Sequence, residues 1–257
     1  KKIDTYMAIP EIFEDDMFET GILCHEYCHS LGLSDYYDTD GEGSGGVAQC
    51  LWGSISPMDS GFKNNHSRTP AGFGAAEYHE LGLGICDTLR LGRMNLEPVS
   101  ENRRYLWHPA DVQGEYWLFE CRSQSGWDEF IGGSGLLVYH VDKSMNRAGF
   151  STYYNITLTA RQRWERKQVN CRPDHQCMDL VEAFPGAGSA DAVFFPYSPE
   201  QIFASDTDPE FRNWSGKASN LAIKDIVIEA DSSVSFTVIE PIRSGKEYVF
   251  QNCATVI

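Results

Sequence analysis

The stretch His25-Glu26-Tyr27-Cys28-His29-Ser30-Leu31-Gly32-Leu33-Ser34-Asp35 dictates a helix, a chain reversal and a returning carboxylate. Two histidines four residues apart on a helix project from one face about one turn from each other, so both rings can reach a single metal ion. Glu26 flanks that face and can reach a water on the metal without being a ligand. This is the H-E-x-x-H arrangement, in which zinc acidifies a water and the glutamate takes its proton. The five-residue pattern arises by chance in many long sequences; Gly32 and Asp35 make it specific. Glycine adopts the left-handed conformation that ends a helix and turns the chain back. Asp35, three residues on, then returns to the metal as a third ligand. Three protein ligands leave a fourth position for water, as a catalytic site requires.

Further along comes Ser56-Pro57-Met58-Asp59-Ser60-Gly61, a turn bracketed by proline and glycine with a methionine inside it. A methionine turn beneath the zinc, together with the extended motif, marks the metzincin clan. Most metzincins use a third histidine where this chain has Asp35. The combination resembles the immune inhibitor A family of secreted bacterial metallopeptidases, whose pattern runs H-E-[FY]-G-H-x-L-G-L-P-D-x-Y-D and then G-x-W-D-x-M-x-x-G. Tyr27, Leu31, Gly32, Leu33, Asp35, Tyr37 and Asp38 match the first part, and Gly53, Met58 and Gly61 the second. The similarity continues through Pro70 to Gly82 with Leu83-Gly84-Ile85, then Tyr116 to Arg122, Gly126-Trp127-Asp128 and Gly135 to Asp142, and spans roughly residues 19 to 185. Ser34 replaces a proline of the pattern, Cys28 a glycine, and Ile55-Ser56 a Trp-Asp pair. None of these removes a ligand or the base. They bear on the rigidity of the turn after Gly32 and on a hydrogen bond that the missing aspartate would make.

The resemblance implies a metzincin-type catalytic part made of active-site helix, methionine turn and C-terminal helix. It implies zinc on His25, His29 and Asp35, Glu26 as general base, and Gly32 and Met58 as supports. It also implies a protein or peptide substrate and a secreted or cell-surface location.

Composition narrows the alternatives. The 257 residues carry a net charge of −16, from 21 basic and 37 acidic side chains, which argues against nucleic acid as a partner. No apolar run approaches the ~20 residues needed to span a bilayer. Asp38, Asp40 and Glu42 cluster on a glycine-rich loop, the chemistry calcium prefers, but without the twelve-residue EF-hand spacing; a calcium site and a solvated acidic loop both stay open. Eight cysteines permit disulfides. Cys171 and Cys177 are the best local pair, with Cα atoms expected within roughly 7 Å if the compartment is oxidising. Cys24 and Cys28 fall on a different helix face from the histidines and read as packing thiols. His140 shares a strand face with Val138 and Asp142 and reads as a satisfied interface group; His66, His79, His108 and His175 lack partners at ligand spacing. Three sequons, at Asn65, Asn155 and Asn213, carry no meaning in a bacterial host, which the resemblance suggests.

Along the chain, alternation predicts a strand over residues 3–9, and Asp16 with Glu19 has capping-box spacing. The zinc helix is expected over about 17–31. Phe18, Ile22, His25 and His29 form one stripe, and Leu23, Tyr27 and Leu31 cover much of the rest, so the helix should be buried on most sides. Thr69 and Pro70 read as the cap and first residue of a second helix reaching Leu81. After Arg93 the texture changes to short aromatic and β-branched runs, with strands expected near 103–108, 115–122, 135–142, 152–160, 178–184, 221–229 and 233–240. The expected fold class is therefore α+β: a catalytic portion over residues 1–95, then a β-sandwich over 96–257 packed on it.

Only about 18 residues precede the zinc helix. Leaving Leu23, Tyr27 and Leu31 in water would forgo about 1.5–3 kcal/mol each, so the chain is expected to be the C-terminal portion of a longer protease. The competing function is a β-sandwich module that binds a host glycan or protein, its zinc site vestigial. The intact ligands and base argue against it.

Overall fold

The computed structural model describes residues 20–48, 53–187 and 189–240, together with short segments at 12–13, 16–17, 242–244 and 247–249. The strand expected over 3–9, the capping residue Glu19, Cys50 and Cys253 lie outside the described residues. In chain order, β1 (Ile12–Phe13) and β2 (Asp16–Met17) pair ahead of α1 (Thr20–Leu31). The irregular turn α2 (Asn64–Ser67) and then α3 (Ala75–Leu81) follow. Next come β3 (Ile85–Thr88), β4 (Gly92–Leu96), the single turn α4 (Val99–Asn102), β5 (Arg104–Pro109), β6 (Glu115–Arg122) and β7 (Gly135–Asp142). The hairpin β8 (Arg147–Ser151) and β9 (Ile156–Thr159) runs into α5 (Ala160–Glu165). The chain continues through β10 (Met178–Leu180), β11 (Ala222–Ile228) and β12 (Val234–Ile239) to the paired segments β13 (Ile242–Ser244) and β14 (Glu247–Val249).

The fold is mixed α+β, organised on a five-stranded sheet of order β10-β7-β6-β5-β3. All its pairings are antiparallel except β3 with β5. Every residue of β6 and β7 is buried, so their apolar runs are nearly continuous rather than alternating. Successive side chains still point to opposite faces and feed two different cores. Leu118, Leu137, Tyr139 and Val141 face a core completed by Cys28, Leu33, Tyr36, Ile55, Met58, Ala75 and Ala76 from the zinc-motif segment. Trp117, Phe119, Cys121, Leu136 and Val138 face a second core shared with the three-stranded sheet β11-β12-β4 through Ile223, Val234, Phe236 and Val238. One sheet therefore backs the candidate site on one side and a smaller sheet on the other.

Several expectations change. The second helix begins at Ala75, not Pro70: residues 70–74 lie outside any helix, and Gly74 starts the helix because the Glu77 carboxylate accepts its N–H at 2.8 Å. The strand expected at 152–160 is a hairpin return followed by α5, whose start is fixed by Thr159 accepting the Gln162 N–H while Gln162 Oε1 accepts the Thr159 N–H. Strands β3 and β4 were not anticipated; both are polar and largely exposed, and their partners lie outside their own stretch of sequence. Helix α1 buries one side only. Gly21, Ile22, His25 and Cys28 are buried, whereas Tyr27 and Leu31 are 55% and 45% exposed. These two side chains lie with Trp127, Phe73, Pro57 and Pro70 along an open apolar groove. The described cysteines are all free thiols, Cys171 and Cys177 included. Cys171 Sγ sits 3.1 Å from Thr39 Oγ1, and Cys177 is packed in the first core.

Candidate metal centre

Helix α1 ends in a Schellman turn: Leu33 N–H reaches Cys28 C=O at 3.2 Å and Gly32 N–H reaches His29 C=O at 3.0 Å. Gly32 has φ +109°, a conformation that side chains rarely adopt. This reversal brings Asp35 back over the helix. His25 Nε2 and His29 Nε2 are 3.1 Å apart, and Asp35 Oδ1 is 3.3 and 3.2 Å from them. Ligands about 2.0–2.1 Å from a tetrahedral zinc are separated by roughly 3.3 Å, so the triangle has the dimensions of one face of a zinc tetrahedron.

The remaining ring nitrogens are committed elsewhere. His25 Nδ1 donates to Pro57 C=O at 2.7 Å, and His29 Nδ1 donates to Leu33 C=O at 3.0 Å. Those bonds fix the tautomers that leave both Nε2 lone pairs free for a metal. Asp35 Oδ1 is buried with no hydrogen-bond donor. Burial alone would raise the Asp35 carboxyl; the two imidazoles beside it instead hold it well below the carboxylate range, and Asp35 in turn raises His29. An orphaned carboxylate oxygen aimed between two imidazole lone pairs is a donor set that fits a zinc ion.

The methionine turn lies directly behind the site. Met58 is fully buried, its carbonyl accepts the Tyr36 N–H at 2.9 Å, and the Pro57 carbonyl is the one that holds His25. Ser56, standing where the family pattern has aspartate, accepts the Met58 N–H at 2.9 Å and donates to Glu77 Oε1 at 2.5 Å. Ser34, in place of the pattern's proline, receives Lys167 Nζ at 3.2 Å, and the same ammonium reaches Gly32 C=O at 3.1 Å. Asn170 donates to Tyr36 C=O at 2.8 Å. The two replaced positions are thus held by side chains from elsewhere in the chain. Cys28 is buried and its thiol is pushed up to about 12 by that burial, so it stays protonated and packs.

A cleft of about 600 Å³ opens beside His25, lined by Ile22, Glu26, Tyr37, Asp59, Ser60, Phe62 and Lys63. Glu26 is on this side of the helix. Phe62 packs its ring 4.6 Å from that of His25. Burial, the Asp35 charge and a hydrogen bond to Asp35 push the Tyr37 phenol up to about 12, so it remains a donor. Tyr37, Phe62, Ser56, Glu77, Lys167 and Asn170 were not assigned roles from sequence. Tyr37 was visible as a match to the family pattern beside Asp35, and Ser56 as the place of its missing aspartate; the others have no local signal, because their partners are distant in the chain.

Of the calcium set, Asp38 and Asp40 are brought together and Glu42 is not. Asp38 spends its carboxylate on the backbone N–H groups of Asp40, Gly41 and Ala48, and Asp40 Oδ2 accepts the Ser44 hydroxyl. The group gathered with them is Cys171, while Glu42 is exposed. A thiol is no ligand for a hard cation, so nothing here supports calcium. His140 is the satisfied group expected, donating to Glu115 at 2.8 Å between the rings of Trp117 and Trp214; His175 is paired with Asp142.

Residues 5–81 match the profile of the family described as immune inhibitor A peptidase M6, catalytic domain. No curated protein matches the chain. The matched stretch contains α1, the reversal, the methionine turn and α3, the first part of the sequence resemblance; the segments that continue it from Leu83 to about residue 185 lie outside the match. At the level of the family, the match supports a metallopeptidase acting on protein or peptide. Among the described residues, no helix is long and apolar enough to cross a membrane.

Proposed function

We propose that the chain is a secreted zinc endopeptidase whose metal is held by His25 Nε2, His29 Nε2 and the Asp35 carboxylate. What supports this most directly is the 3.1–3.3 Å triangle of donor atoms, with both Nδ1 positions already committed to carbonyls. A zinc ion held there would lower the pKa of a bound water to about 7 and polarise the scissile carbonyl. Glu26, lining the cleft, accepts the proton of the attacking water and passes it to the leaving amine. Tyr37 keeps its proton at neutral pH and donates to the carbonyl oxygen as negative charge develops there. Phe62 and Ile22 wall the cleft and keep the His25 ring in place.

Metal analysis combined with cleavage of a denatured protein, with and without chelator, tests the reading. Zinc should be stoichiometric, and chelation should stop cleavage. Glu26→Ala should retain zinc and lose about 10²–10⁴-fold in turnover. Asp35→Ala should lose metal affinity. Cleavage at close to the wild-type rate in Glu26→Ala would sink the mechanism. A vestigial binding module would instead bind its ligand and cleave nothing, and the intact base and ligand set weigh against it.

A further inference from the structure

We infer that Glu77 is a positioning residue for the zinc centre, acting through the Ser56 hydroxyl and the peptide between Pro57 and Met58; the inference rests on the zinc reading above. That peptide is one rigid plane. Its C=O end accepts His25 Nδ1–H at 2.7 Å, and its N–H end donates to Ser56 Oγ at 2.9 Å. Rotating the plane to release either bond breaks the other. Ser56 Oγ in turn donates its proton to Glu77 Oε1 at 2.5 Å, and Gly74 N–H holds the other Glu77 oxygen at 2.8 Å.

The burial of the chain of contacts gives Glu77 its role. Ser56, Met58 and Glu77 are each no more than 1% exposed, so water cannot replace any member. A hydroxyl that accepts the Met58 N–H still carries a proton, which must find an acceptor. An aspartate, as the family pattern has at position 56, accepts that N–H unaided. Serine is shorter and brings its own proton, and Glu77 supplies the missing carboxylate from helix α3. Each donor in the series points toward Glu77 and away from His25, so the carboxylate polarises the whole run and makes His25 Nε2 a better electron donor. Within this turn Arg122 reaches the Ile55 carbonyl, at 3.3 Å, and the Asp59 and Gly61 N–H groups reach the Ser56 carbonyl. These contacts fix the backbone before the plane without setting its rotation.

The experiment is zinc dissociation of the full chain, measured by competition with a chromophoric chelator, alongside the melting temperature of the metal-free protein. Ser56→Ala and Glu77→Gln should each weaken zinc binding about 10- to 100-fold, the range for partners of metal-bound histidines. The double variant should be no weaker than the worse single one, because both cut the same run. Adding Ser56→Asp to Glu77→Gln should restore most of the loss. Ser56→Ala leaves Glu77 and its Gly74 bond in place, so it reports even if Glu77→Gln folds poorly. Zinc affinity unchanged within about twofold in Ser56→Ala, with only the metal-free melting temperature lowered, would overturn the inference and leave Glu77 a structural group. Wild-type protein that binds no zinc would instead overturn the metal reading itself.

Discussion

Gly32 sits where three requirements meet: it ends α1, it lets the chain reverse, and its carbonyl receives Lys167. At φ +109° an alanine is strained although nothing crowds its Cβ, so the penalty is one of backbone conformation. Gly32→Ala should cost about 1–2 kcal/mol in denaturant unfolding, and because Leu33 C=O orients His29, zinc affinity should fall with it. A variant as stable as wild type would mean that the reversal tolerates another conformation. This position was readable in advance because one residue type is required at a fixed distance from the ligands. The same holds for His25, Glu26, His29 and Asp35: ligand chemistry restricts both identity and spacing, and the pattern lies within one helix and one turn. Ser56 was readable as the place of a missing aspartate, but its partner Glu77 was not, since a serine two residues ahead of a methionine announces nothing about a carboxylate on another helix.

At the scale of elements, the segment from Lys167 to Asn170 braces the loop that carries Asp35, the proposed third ligand. Lys167 is an exposed cation reaching one carbonyl and one hydroxyl, and contacts of that kind are worth little. Asn170 is fully buried; its amide donates to Tyr36 C=O and Met178 C=O and accepts the Met178 N–H, all at 2.8–2.9 Å. Asn170→Ala leaves buried backbone groups unsatisfied and should cost about 2–4 kcal/mol, whereas Lys167→Ala should cost less than about 1 kcal/mol. Equal losses by chemical denaturation would reject the brace. Strands β5, β6, β7, β11 and β12 were readable from apolar runs ended by turn residues. Strands β3 and β4 were not: their exposed, polar sequences acquire strand geometry from partners, and pairing of that kind leaves no local pattern. The burial of α1 was overread, since apolar residues around a helix reveal what is able to be buried, not what is.

Across the whole molecule, β6 carries charge into the interior. Arg122, 1% exposed, holds Asp128 through two hydrogen bonds and reaches the carbonyls of Ile55 and Gly72; Glu120, fully buried, accepts Ala75 N–H and the Tyr139 hydroxyl. Burial lifts the Glu120 carboxyl to about 7 from an ordinary 4.5, against the pull of Arg122. The folded form therefore binds a proton more tightly than the unfolded chain. Stability from this group is fully present below about pH 4.5 and is lost as pH rises to about 7. Glu120→Gln should flatten the fall in unfolding free energy across that window, and an unchanged slope would show that other groups set it. The brace on the third ligand has a consequence in time. The bonds from Lys167 and Asn170 close over separations of 135 and 134 residues, so a chain emerging from the ribosome displays the complete metal-binding motif long before the segment that secures it exists. Such distant closure is slow. On the proposed reading, the catalytic geometry is therefore among the last things the polypeptide acquires, and an interrupted chain that already carries both histidines and the aspartate should be inert.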